Sequence, residues 1–127
     1  MGGGTRATVL VLDDDESLRF LCRVNLELDG YRVLEGASLA EARETLAAER
    51  VDAILLDIHL ADGDGRELLR ELGSGRPVAA LFTGTDSAGE EEMLADAVIP
   101  KPFELGLLRS TVDRLVSHGA PQVDSAG

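Results

Sequence analysis

The chain has 127 residues, and its 24 acidic against 12 basic side chains give a formal net charge of −12. That excess repels phosphate backbones and anionic lipid, so neither nucleic acid nor a membrane is expected as a direct partner. Hydrophobic residues make up 44% and mean hydropathy is +0.02, which excludes a disordered or membrane-spanning chain and leaves room for one domain of about 110 residues.

The first apolar run, "ATVLVL" (7–12), is too short for a signal-peptide core and runs into three acids, so no secretion signal is expected. Its continuous apolarity predicts a strand covered on both faces, as it does for "VDAILL" (51–56) and "PVAALF" (77–82). "YRVLE" (31–35) alternates and suits an edge strand, and "AVI" (97–99) completes five. Helical patterns separate them. Glu16 to Asp29 places Leu18, Leu21, Val24 and Leu28 at helical spacing, with Gly30 as the C-terminal stop and Asp15 as the expected N-cap. Ser38 to Arg50 opens with a Ser38/Glu41 capping box and aligns Leu39, Ala42 and Leu46. Gly65 to Leu72 turns Leu68, Leu69 and Leu72 inward, a short fourth helix starts near Ser87 and Glu90 and ends by Ala95, and Glu104 to Ser117 aligns Leu105, Leu108, Val112 and Leu115. Cys22 lies within the first helix as a small core residue, and with no second cysteine no intrachain disulfide exists; a cytoplasmic location is expected. Five strands alternating with five helices call for an α/β fold with a parallel sheet covered on both faces. The expected boundaries are a flexible N-terminus (1–6), one domain (7–117) and a flexible tail or linker (118–127).

In such a sheet every strand's carboxyl end lies on one edge, where ligands bind. Strand one ends at Asp13, Asp14 and Asp15, strand three at Asp57, strand four at Thr83, and strand five runs into Lys101. Two carboxylates about 4 Å apart repel by roughly 4 kcal/mol at an effective dielectric near 20, so a cation must answer them. Lys101 supplies one charge, and an all-oxygen donor set favours Mg²⁺. A carboxylate beside Mg²⁺, a lysine and a hydroxyl is equipped to receive a phosphoryl group, which makes Asp57 the candidate nucleophile.

The motifs "VLVLDDDES", "ILLDIHLADGDG", "FTG" and "PKPF", in this order, resemble the CheY-like receiver domain of two-component response regulators over residues 7 to about 116. The resemblance implies a doubly wound, flavodoxin-like sheet of order 2-1-3-4-5. It implies that Asp57 accepts phosphate from a histidine kinase or histidine phosphotransfer protein, that Asp13 and Asp14 with Asp57 hold Mg²⁺, and that the His59 main-chain carbonyl is a further ligand. Thr83 would turn toward the phosphoryl group, Lys101 would pair with it, and Lys101–Pro102 would be cis. A receiver assists its own phosphorylation and dephosphorylation without being a turnover enzyme, and passes its signal to a downstream protein that the sequence does not name. Three positions depart from the family: Ala61 where proline is usual, Val98 where an aromatic is common, and a short segment between Thr83 and Lys101. The side chains of His59 and His118 are expected to be exposed or structural.

Two other readings compete. A haloacid-dehalogenase-like phosphatase also forms an aspartyl phosphate and needs Asp-x-Asp after strand one, a pattern that Asp13 and Asp15 fit, although the further acids it needs after its lysine are poorly matched. A phosphate-independent interaction module is the third reading.

Overall fold

The computed structural model describes residues 6–84 and 94–118. In chain order the elements are β1 (Thr8–Leu12), α1 (Glu16–Leu28), β2 (Arg32–Gly36), α2 (Leu39–Ala48), β3 (Ala53–Asp57), β4 (His59–Leu60), β5 (Gly63–Asp64), α3 (Gly65–Leu72), β6 (Val78–Thr83), β7 (Ala97–Pro100) and α4 (Leu105–His118). The main sheet is parallel with order β2-β1-β3-β6-β7, the doubly wound order expected for its five strands. The fourth helix expected from Ser87 begins on residues outside the described ones; four α-helices stand among those described, with one 3-10 turn at Gly73–Gly75.

The pleat divides the core. Val9, Val11, Ala53, Leu55, Ala80 and Phe82 point to one face, where Cys22 and Leu26 of α1 meet Leu108, Val112 and Leu115 of α4. Leu10, Leu12, Ile54, Leu56, Ala79 and Leu81 point to the other, against Leu39 and Ala42 of α2 and Leu68 and Leu69 of α3. Strands covered on both faces cannot alternate polar with apolar residues, which is why β1, β3 and β6 read as unbroken apolar runs.

The expected inward face of α1 needs correction. Leu28 is 77% and Leu21 42% exposed, whereas Cys22 and Leu26 are buried, with Leu18 packed against them. The helix carries two apolar stripes. Packing between β1 and α4 selects Leu18, Cys22 and Leu26, spaced four apart, and leaves the other outside.

The helix ends follow local chemistry. Asp15 Oδ1 accepts the amides of Ser17 and Leu18 and caps α1. Gly30 follows at φ +94°, a backbone conformation that a side chain would strain. At α2, Ser38 Oγ accepts the Glu41 amide, but Glu41 Oε1 reaches back to the amide of Ala37 instead of that of the cap residue. The "HLADGDG" stretch pairs with itself: β4 and β5 form an antiparallel hairpin with His59 opposite Asp64. Asp62, at its tip, accepts the amides of Leu39 and Ala40 at the start of α2. That side chain ties the hairpin down where the family's usual proline is replaced by Ala61, and its two amide bonds hold the Asp62 carboxyl below the usual carboxylate range.

Candidate phosphoacceptor and cation site

The register of β1 with β3 pairs Leu12 with Leu56, so the next residue on each strand, Asp13 and Asp57, stand side by side. Both follow the pleat onto the face of Val11 and Leu55. Asp13 is fully buried, Asp57 is 9% exposed and Thr83 7%. Asp14 is exposed at the mouth of the site. Carboxylate oxygens of Asp13, Asp14 and Asp57 lie within 4.8 Å of one another.

Lys101 enters this cluster from the end of β7. Its amide donates to the Thr83 carbonyl at 2.7 Å, which ties its backbone to β6, and Lys101–Pro102 is cis. Nζ lies 3.0 Å from Asp13 Oδ2 and 3.4 Å from Asp57 Oδ2. The ammonium also sits 5.4 Å from the centre of the Phe82 ring, which stacks on Phe103 at 5.3 Å, so an aromatic floor limits where the lysine can lie. Burial by itself would lower the Lys101 pKa, but Asp13 and Asp57 outweigh it and hold the ammonium charged. Burial pushes the Asp13 carboxyl up, with the Asp57 charge adding to it, against the opposing pull of the Asp15 amide and Lys101.

Three carboxylates against one ammonium leave two negative charges concentrated at the mouth of the site. The donors are all oxygens, two on adjacent buried strand ends and one exposed. This set fits a hard divalent cation that keeps part of its water shell.

Thr83 ends β6 one residue beyond Phe82, the register partner of Asp57, and so belongs to the same edge of the sheet. His59 has an exposed side chain in the hairpin two residues after Asp57. Asp15, an alternative member of an Asp-x-Asp pair, spends a carboxylate oxygen capping α1.

Two contributors were not anticipated from the sequence. A Cβ on Gly65 would stand 2.1 Å from the Asp57 carbonyl oxygen, and the Gly65 amide donates to Ile58 at 2.6 Å. The glycine lets the start of α3 close against the acceptor loop; the second glycine of "GDG" was its signal. Arg19, one turn into α1, donates from Nη1 to the Asp13 carbonyl at 2.6 Å. An arginine on a helix has no local pattern that announces such a contact. Val98 pairs with Leu81 in the sheet, so a small aliphatic side chain occupies the position where an aromatic is common in the family.

A parallel sheet wound in this order, with paired acids and a lysine at the carboxyl edge, defines a doubly wound, flavodoxin-like α/β domain with a polar site at its strand ends. The chain belongs to the response regulator receiver domain family, whose model matches residues 9–113. It is 34% identical over 124 residues to the response regulator MprA of Mycobacterium avium (strain 104), covering 92% of this chain and 54% of that protein. It is 36% identical over 107 residues to the KDP operon transcriptional regulatory protein KdpE of Escherichia coli, covering 80% of this chain and 48% of that protein. The chain thus spans about half the length of these curated relatives. A CheY-like response regulator receiver domain protein from Methanospirillum hungatei JF-1 superimposes with TM-score 0.81 at 28% identity, covering 89% of this chain and 95% of that one. Among the described residues no helix is long and apolar enough to cross a membrane.

Proposed function

We propose that Asp57 is the phosphoacceptor, and that the donor is a phosphohistidine on a histidine kinase or a histidine phosphotransfer protein. The observation that carries this reading is the convergence of Asp13, Asp14, Asp57 and Lys101 at one strand edge, with Lys101 Nζ between two buried carboxylates. An Asp57 oxygen attacks phosphorus as the phosphorus–nitrogen bond of the donor breaks. The new phosphorus–oxygen bond is the acyl phosphate, and the imidazole leaves with the electron pair and takes a proton. Such transfer needs alignment and charge stabilisation more than covalent assistance. Asp13, Asp14 and Asp57, with the His59 main-chain carbonyl, are the groups proposed to hold Mg²⁺, which when bound neutralises charge on phosphoryl oxygens. Lys101 is proposed to exchange its Asp57 contact for a phosphoryl oxygen, and Thr83 is the hydroxyl proposed to turn toward another.

Conversion of the Asp57 carboxylate, at −1, to an acyl phosphate carrying about −2 adds roughly one negative charge and three acceptor oxygens beside Lys101, and redraws the contacts of Lys101 and Thr83. The output is proposed to be a changed surface read by a downstream protein, within a cytoplasmic two-component pathway, with residues 7–117 as the receiver unit. Incubation with acetyl phosphate and Mg²⁺ followed by peptide mass spectrometry tests the reading: an adduct on Asp57, lost in Asp57→Asn, is expected. An adduct on Asp13 would refute it in favour of the phosphatase chemistry. Partner binding indifferent to phosphate and to Asp57→Asn would favour the interaction module.

A further inference from the structure

Asp13 is held at every polar atom. Its amide donates to the Gly36 carbonyl at 3.1 Å, its Oδ1 accepts the Asp15 amide at 2.9 Å, its Oδ2 accepts from Lys101 at 3.0 Å, and its carbonyl accepts from Arg19 Nη1 at 2.6 Å. The last of these is a charge-assisted bond from an arginine whose side chain is only 16% exposed, which a neutral turn does not require. Arg19 is itself anchored: its Nε donates to Glu35 Oε1 at 3.3 Å. The other oxygen of Glu35 forms an ion pair with Arg23 at 2.7 Å. Glu35 lies on β2 opposite Val11 of β1, one residue before the Gly36 that receives the Asp13 amide. The bend carrying Asp13 and Asp14 is therefore gripped between the end of β2 and the first turn of α1.

We infer that Arg19 is a positioning residue for the cation site: held by Glu35, it clamps the Asp13 carbonyl and fixes the Asp13 and Asp14 carboxylates at the spacing a divalent ion needs. The inference rests on the proposed Mg²⁺ role of those acids. It has a definite sign. A guanidinium acting only as a nearby positive charge would oppose the ion, so its removal would tighten binding. A clamp does the reverse, because a loosened bend must be ordered when the ion binds.

Calorimetric titration of the full chain with Mg²⁺, well below the melting temperature of each variant, separates these cases. Arg19→Ala is expected to weaken Mg²⁺ binding about tenfold, the scale seen when a partner orienting a metal ligand is lost. Arg19→Lys, which keeps a cation and a donor, should recover most of that loss. With acetyl phosphate, the Asp57 phosphorylation rate of Arg19→Ala should fall at low Mg²⁺ and return to the wild-type rate at saturating Mg²⁺, a pattern that general destabilisation of the fold does not produce. Unchanged or tighter Mg²⁺ binding in Arg19→Ala overturns the clamp. Should Arg19→Ala not fold, Arg19→Met decides, because it keeps the unbranched stem and removes both charge and donor: weaker binding supports the clamp, and unchanged or tighter binding overturns it. Wild-type protein that binds no Mg²⁺ overturns the metal reading itself, whereas wild-type binding beside an unaffected variant overturns the clamp alone.

Discussion

Replacing Lys101 with methionine removes a cation that touches both Asp13 and Asp57 while keeping an unbranched side chain over the Phe82 ring. At an effective dielectric near 20, an ammonium 3.0 Å from one carboxylate and 3.4 Å from another attracts each by about 5 kcal/mol. The two acids, within 4.8 Å of each other, repel by at least about 3.5 kcal/mol. Most of that gross attraction is offset by desolvation, and Lys101 is 32% exposed, so the lower end of the 3 to 5 kcal/mol range for orphaning a buried charge applies. The expected loss is about 3 kcal/mol in metal-free buffer. For a domain of this size that lowers Tm by roughly 15 °C. Thermal melts followed by far-ultraviolet circular dichroism in EDTA, repeated with Mg²⁺, measure both parts. Mg²⁺ should raise Tm more in Lys101→Met than in the wild type, because the ion then replaces a missing charge instead of competing with a present one. A variant melting within about 3 °C of wild type in EDTA, or equal Mg²⁺ shifts in the two proteins, would refute the idea that ammonium and ion serve the same carboxylates.

Asp57→Asn should act in the opposite direction without metal. Repulsion from Asp13 and Asp14 slightly exceeds the attraction of Lys101, and after discounting the exposed Asp14 the variant is expected to be about 1 kcal/mol more stable in EDTA and to gain little from Mg²⁺, read from urea unfolding midpoints. Gly65→Ala would drive a methyl group to 2.1 Å from the Asp57 carbonyl; a loss of about 3 kcal/mol is expected in the same unfolding assay, together with slower phosphorylation of Asp57. Arg109 donates to Asp29 at 2.6 and 2.9 Å and holds its carboxyl below the ordinary value of 3.8. A depressed acid stabilises the fold above its unfolded pKa and loses that contribution as pH falls through its folded pKa. Arg109→Ala should therefore melt lower than wild type at pH 7, and the gap should close as pH drops below about 3.8; a gap independent of pH in paired melts would contradict the assignment.

The sequence alone determined which residues end the strands. Short unbroken apolar runs set between amphipathic helical patterns read as strands covered on both faces, which puts Asp13, Asp57, Thr83 and the approach to Lys101 at carboxyl ends and calls for positive charge to answer the acids among them. Helix caps were legible too, because Asp15 and Ser38 satisfy amides two or three residues away, within the reach of local pattern. What tertiary structure decided was everything that depends on distant neighbours. Which apolar stripe of α1 turns inward was settled by packing between β1 and α4, which chose Cys22 and Leu26 over Leu21 and Leu28. Lys101 reaching both acids, Gly65 admitting the acceptor loop, and Arg19 gripping Asp13 each join elements that the chain alone does not place within contact distance. Periodicity reports how a segment is buried, but a hydrogen bond of 2.6 Å between a helix and a strand end depends on both elements being docked first.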